Sequence, residues 1–85
     1  MYKIFIANRK TERKLIEYMR IRKDIKEKLE KLRTNPREDI GAHPLHGRLD
    51  SKWSCWLGSN IRIIYSIKDD DRLIIIEAVG THKIY

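Results

Sequence analysis

The 85-residue chain has one cysteine, two prolines, four glycines and one phenylalanine. A lone Cys55 forms no intrachain disulfide and no four-cysteine zinc site, and nothing about it argues for an oxidising compartment. Long apolar runs are missing as well. The longest aliphatic stretch, Leu73 to Ile76, falls far short of the roughly 20 residues that a membrane-spanning helix needs. Lys3, Arg9 and Lys10 interrupt any apolar segment near the start, so no secretory signal is expected. A glycine-rich phosphate loop and a Gly-x-Ser-x-Gly elbow are both absent, which argues against nucleotide hydrolysis and serine-type acyl transfer. Internal repeats and low-complexity segments are absent too. The expectation is a cytoplasmic protein with no membrane partner.

What remains is one domain, residues 1–85, because a second core would leave each half below the size at which chains fold unaided. Apolar residues make up 41% and charged residues 36%, enough for one core and too much hydrophobicity for a disordered tail. The formal net charge is +7, and it is local. Between Arg9 and Arg33 eleven basic residues face five acidic ones, whereas from Asn35 to Tyr85 seven balance seven. A basic segment of this kind neutralises phosphates, attracts an acidic protein partner, or is simply a solvated helix surface.

Tyr2 to Ala7 is rich in Ile and Phe and alternates loosely, which predicts a strand ending where Asn8 offers a helix cap. Leu15, Tyr18 and Met19, then Ile21, Ile25, Leu29 and Leu32, recur at helical spacing and predict two packed helices near 8–20 and 24–34. Asp24 with Glu27 has the form of a capping box, and Asn35-Pro36 stops the second helix. After the loop chemistry of Pro36, Gly41, Pro44 and Gly47 the period becomes two. Strands are expected at Leu45 to Leu49, Trp53 to Leu57, Ile61 to Lys68 and Leu73 to Val79. The fold class is therefore α+β: an N-terminal strand, a two-helix hairpin, then an antiparallel meander sheet with the helices on one face.

Alternation puts Arg62 on the face away from Ile61 and Ile63, and puts Trp53 and Trp56 on opposite faces, one in the core and the other available for stacking. Cys55 and Tyr65 read as core residues. His43 and His46 bracket Pro44-Leu45, and His82 lies just past the last long strand, so a meander can bring all three imidazoles towards Arg62. Two groups titrating near neutrality with a fixed cation between them suit RNA cleavage by the 2′-hydroxyl. One group removes the 2′-OH proton, the other protonates the departing 5′-oxygen, and the guanidinium stabilises charge on the phosphorus oxygens. Without a fourth ligand at ligand spacing, the histidines give no recognisable zinc site. Taken singly, each histidine also fits a solvated loop position, and Arg62 fits a surface residue pairing with Asp69 or Glu77.

The ordered set His43-Pro44-Leu45-His46-Gly47-Arg48-Leu49, Trp53, Ile61-Arg62-Ile63-Ile64-Tyr65 and Gly80-Thr81-His82, running to a terminal aromatic, resembles the RelE/ParE superfamily of bacterial and archaeal type II toxins. It is most similar to the YafQ-like branch, whose loop is like Ala42 to Gly47 and whose end is like Gly80 to Tyr85. The resemblance implies a RelE-like microbial RNase fold and a ribosome-dependent mRNA interferase. Such a protein enters the ribosomal A site, cleaves mRNA without a metal or other cofactor, and is held inactive by a cognate RelB-like antitoxin whose acidic segment covers the basic helices and the sheet.

Carried over by position, His82 resembles the general acid or base before the C-terminal aromatic, His43 the loop histidine of the YafQ-like branch, and Arg62 the transition-state cation. Tyr85 resembles the aromatic that positions the scissile phosphate or stacks on a base. Arg48, Lys52, Trp56 and Lys83 are the expected RNA contacts. The chain departs from the family where the YafQ-like branch has a second histidine and an aspartate, since Trp56 and Asn60 stand there. The RelE lysine pair falls near Trp53 and Cys55, leaving Lys52 as a substitute and His43 or His46 to take the missing proton-transfer role. Two other readings stand beside the nuclease: a ParE-like, non-catalytic inhibitor of DNA gyrase, and a basic RNA- or ribosome-binding module.

Overall fold

The computed structural model describes residues 1–38, 41–47, 51–58 and 60–81. Its elements are β1 (Lys3–Ile6), α1 (Arg9–Ile21), α2 (Asp24–Thr34), β2 (His43–Pro44), β3 (Trp53–Trp56), β4 (Arg62–Lys68) and β5 (Leu73–Gly80). The strands form one five-stranded sheet in the order β1-β5-β4-β3-β2. From β2 to β5 the neighbours are antiparallel, as the meander reading expects. β1 joins parallel to β5, with Lys3 opposite Leu73 and Ile6 opposite Ile76, so the sheet is mixed.

The Asn8 cap of α1 is present: its Oδ1 accepts from the Thr11 amide at 2.8 Å, satisfying an amide the helix leaves open. The same turn anchors α1 to the sheet, because Thr11 Oγ1 and Asn8 Nδ2 both donate to the Glu77 carbonyl, at 3.2 and 3.4 Å. The capping box expected at Asp24 is not formed. Lys23 occupies the cap without a side-chain bond, and Asp24 instead accepts from Arg22 Nε and Nη2 at 3.3 and 3.1 Å. Those bonds hold the Asp24 carboxyl below its ordinary value. The Arg22–Asp24 pair packs on Gly58, whose φ of +103° is what calls for glycine in the β3–β4 turn.

The strand expected at Leu45–Leu49 lies earlier, at His43–Pro44, with one further ladder bond from the Leu45 amide to the Lys52 carbonyl at 2.9 Å. Gly47, at φ +71°, turns the chain out of the ladder, and β2 is an edge strand, where proline's missing N–H costs nothing. Residues 48 and 49 lie outside the described residues.

Both helices cover one face of the sheet. Ile25 and Leu32 of α2 and Ile63, Tyr65, Ile74 and Ile76 of the strands are all fully buried there. Each such aliphatic side chain contributes about 1.5–3 kcal/mol relative to leaving it in water. Tyr65 spans the layer, its hydroxyl donating to the Pro36 carbonyl at 2.5 Å, and burial raises the pKa of its phenol. Cys55 lies in the same core, where burial pushes its thiol up to about 12 and removes it from nucleophilic chemistry. Among the described residues no buried side-chain nitrogen or oxygen lacks a partner, and no helix is long and apolar enough to cross a membrane.

Candidate functional site

The face of the sheet turned away from the helices carries the candidate chemistry. Alternation along β4 sends Ile63, Tyr65 and Ile67 to the helices and Arg62, Ile64, Ser66 and Lys68 to the other side. Cross-strand pairing then arranges this second face in rows, where Ser54, Ile64 and Ser66 are buried, Trp56, Arg62 and Lys52 half-buried, and His43 exposed. Trp56, Arg62 and Gly80 form one row across β3, β4 and β5. His43, Ser54, Ile64 and Ala78 form the next, one residue pair along. Two strand spacings and two residue rises separate His43 from Arg62, roughly 12 Å between Cα atoms. That span is within reach of an imidazole and a guanidinium approaching one phosphate.

In the first row the Arg62 guanidinium lies over the Trp56 ring, its carbon 4.0 Å from the ring centroid. Gly41 abuts the edge of the same indole: a Cβ there would fall 2.9 Å from Trp56 Cδ1. Trp53, on the opposite face, packs against the helix-side core and has Arg37 above it at 5.8 Å. The two tryptophans thus divide between the faces as alternation requires.

In the third row Ser66 stands opposite Ile75, and Lys52 and Glu77 meet at its hydroxyl. Lys52 Nζ lies 2.6 Å from Glu77 Oε2 and 3.4 Å from Ser66 Oγ, and the Ser66 hydroxyl donates to the same carboxylate oxygen. Burial pushes the Glu77 carboxyl up, but the bonds from Lys52 and Ser66 outweigh it and leave it below the ordinary value. Glu77 reaches this side at a bulge, where Tyr65 opposes Ile76 and Ile64 opposes Ala78. Beside it a shallow cleft of about 320 Å³ runs along β5 to the start of α1, lined by Asn8, Lys10, Thr11, Lys14 and β5 residues.

The family model of the ParE toxin of type II toxin-antitoxin systems, parDE, matches residues 9–84 of this chain. The chain belongs to that family. Solved structures agree in fold. The YoeB/ParE toxin from Agrobacterium tumefaciens superposes with a TM-score of 0.76 at 14% identity, covering 94% of this chain and 98% of its own. The YoeB-YefM complex from Staphylococcus aureus gives 0.72 at 21% identity over 96% and 98%. YafQ from E. coli strain BL21(DE3) gives 0.65 at 20% identity over 96% and 94%. No curated protein matches the chain in sequence. The protein is therefore a type II toxin of the RelE/ParE superfamily with the RelE-like α+β fold.

Of the site residues expected in this toxin, the described part brings His43, Trp56, Arg62 and Lys52 to the sheet face turned away from the helices, in three adjacent rows. His46 is exposed beyond the end of β2. His82, Tyr85, Arg48 and Lys83 lie outside the described residues. His82 follows Gly80, the residue paired with Arg62, by two positions in the chain. Glu77, a candidate partner for Arg62 by sequence, pairs with Lys52 at 2.6 Å, and Asp69, the other candidate, pairs with Arg37 at 2.7 Å. The signal for Glu77 was its position as the one charged residue in the otherwise apolar β5. Among the described residues, no group of three or more His, Cys, Asp or Glu is placed to hold a metal ion.

Proposed function

We propose that this toxin is a ribosome-dependent endoribonuclease that cleaves mRNA in the ribosomal A site and so inhibits translation, acting in the cytoplasm without a metal. The observation that carries the reading is the placement of Arg62 and His43 on the sheet face turned away from the helices, in neighbouring rows, with Arg62 paired to the residue two before His82. In this reading the 2′-hydroxyl attacks the adjacent phosphorus while one imidazole takes its proton. The P–O5′ bond breaks, the second imidazole protonates the leaving 5′-oxygen, and the products are a 2′,3′-cyclic phosphate and a 5′-OH. Arg62 donates to the nonbridging oxygens as their charge builds, a stabilisation that grows towards the transition state. His82 is the proposed acid or base, His43 or His46 its counterpart, and Tyr85 holds the scissile phosphate or a base.

Arg48, Lys52, Trp56 and Lys83 are the proposed RNA contacts, with Lys52 constrained by its bond to Glu77. The basic residues of α1 and α2 attract the polyanion and, in the resting state, an acidic segment of a RelB-like antitoxin. The existence of a YoeB-YefM complex supports such a partner. Primer extension on a reporter mRNA in a purified translation system tests the reading. Cuts that need ribosomes and vanish in His82→Ala and Arg62→Ala are expected, and intact mRNA with an otherwise active toxin would overturn it.

A second reading has its own support, because the matching family model is that of ParE. A gyrase inhibitor would leave mRNA whole and cause DNA breaks in arrested cells, and it would tolerate loss of the histidines.

A further inference from the structure

We propose that Phe5 is a stacking platform for a nucleobase of the RNA, at a second subsite on the sheet face turned away from the helices. The inference rests on the ribonuclease reading, which puts the substrate on that face. Ile4 and Ile6 pack against the helix-side core, so alternation along β1 turns Lys3 and Phe5 to the far face. There Phe5 is 54% exposed, and it is the only exposed aromatic among the described residues. A single apolar side chain in water is ordinary, and what sets this one apart is its place. Phe5 stands opposite Ile75, and Ile75 opposite Ser66, so the row that carries the Lys52–Glu77 pair ends at the phenyl ring. Two strand spacings and four residue rises separate Phe5 from Arg62, roughly 16 Å between Cα atoms. A base lying on the ring therefore belongs to a nucleotide beyond the one that is cut.

The surroundings suit a single strand of RNA. Lys3 and Lys68 flank Leu73 in the next row and are both exposed. Neither enters a salt bridge or a side-chain hydrogen bond among the described residues. Glu77, on the same face, would by itself repel a phosphate, but Lys52 at 2.6 Å offsets its charge. Beyond Lys68 the turn carries the exposed Asp70 and Asp71, and their charge closes the strip to a polyanion at that end. An aromatic face set among ammonium groups holds single-stranded nucleic acid without reading its sequence, because the ring accepts any base and the cations take the backbone.

Single-turnover cleavage on programmed ribosomes tests the subsite, with an abasic residue walked one position at a time through the mRNA nucleotides that flank the cut. On intact mRNA, F5A is expected to raise the half-saturating toxin concentration about 5- to 100-fold and to leave the limiting rate within about threefold, with circular dichroism correcting for folded fraction. With the wild type, one abasic position imposes a penalty of similar size, and F5A cleaves that mRNA and the intact one alike. F5W, which keeps a π face, saturates near the wild-type concentration, whereas F5L, which keeps only apolar bulk, does not. The proposal is overturned by F5A or F5L saturating as the wild type does, or by an F5A penalty that is the same at every abasic position. It is equally overturned if F5A weakens only the complex with the antitoxin, which would make the ring a protein contact. A wild type that leaves RNA intact defeats the ribonuclease reading and the subsite with it. Failure of the subsite alone shows as an active wild type with an indifferent F5A.

Discussion

Two rows of side chains cross the sheet face turned away from the helices, four residues apart along β4, and they treat positive charge in opposite ways. In one, Lys52 lies 2.6 Å from the Glu77 carboxylate and shares it with Ser66. In the other, Arg62 lies 4.0 Å over the Trp56 ring. A cation against a carboxylate presents little net field to a phosphate arriving from outside, and binding there must first disturb a charge-assisted hydrogen bond. An aromatic face carries no formal charge, so the ring itself does not offset the cation stacked on it. Basic residues close together on one surface are thus unequal, and the difference lies in what each already touches.

The strongest way to break this comparison is to remove Arg62. Arg62→Ala is expected to lower the limiting cleavage rate about 10²–10³-fold, the cost of deleting one preorganised donor, while the melting temperature moves only slightly. Its chain neighbour supplies the converse. Ile63 faces the helices at 0% exposure, so Ile63→Ala should cost about 3 kcal/mol of folding stability by denaturant titration and leave the rate per folded molecule unchanged. Equal activity losses in the two variants, after correction for folded fraction, would erase the distinction between the faces.

Lys52→Met sharpens the other half. It leaves the half-buried Glu77 with Ser66 and no cation, and a loss of about 1 kcal/mol in stability is expected, with cleavage falling less than about tenfold. A loss as large as that of Arg62→Ala would mean that Lys52 leaves Glu77 to grip the substrate.

The smallest effect is a pH dependence. Hydrogen bonds from Arg37 and Tyr2 hold the Asp69 carboxyl at about 2, against an ordinary 3.8, and Glu77 is lowered in the same sense. A carboxylate depressed by folding stabilises the native state above its unfolded pKa, and that stabilisation is lost as pH falls through the folded one. The melting temperature of the wild type should therefore fall more steeply between about pH 5 and about pH 2 than that of Asp69→Asn, with the two converging at the acid end. Parallel curves would show that the Arg37–Asp69–Tyr2 network contributes nothing to stability.

Much of the architecture was legible beforehand. Leu15, Ile25 and Leu32 recur at helical spacing because one stripe of each helix must leave water, and the structure buries all three. Alternation along β4 assigned Arg62 and Tyr65 to their faces for the same reason. The misses have local causes. Asp24 looks like a cap in sequence, but Arg22 two residues earlier competes for its carboxylate. The strand expected after Leu45 ends early because a left-handed glycine follows His46. Nothing near Lys3–Ile6 announces a parallel neighbour, since β1 carries no mark of which edge it will extend.

The candidate site divides in the same way. Residue types and their order pointed to His43, Arg62 and His82, and period-two alternation put Arg62 on the side away from the helices, because both are properties of a residue and its chain neighbours. The bonding of Lys52 to Glu77, across 25 residues, and the seating of Arg62 on Trp56 are pairings between strands. They depend on register and on a bulge that turns Glu77 towards Ser66, and these are settled only when the sheet closes over its helices and every strand takes its neighbours.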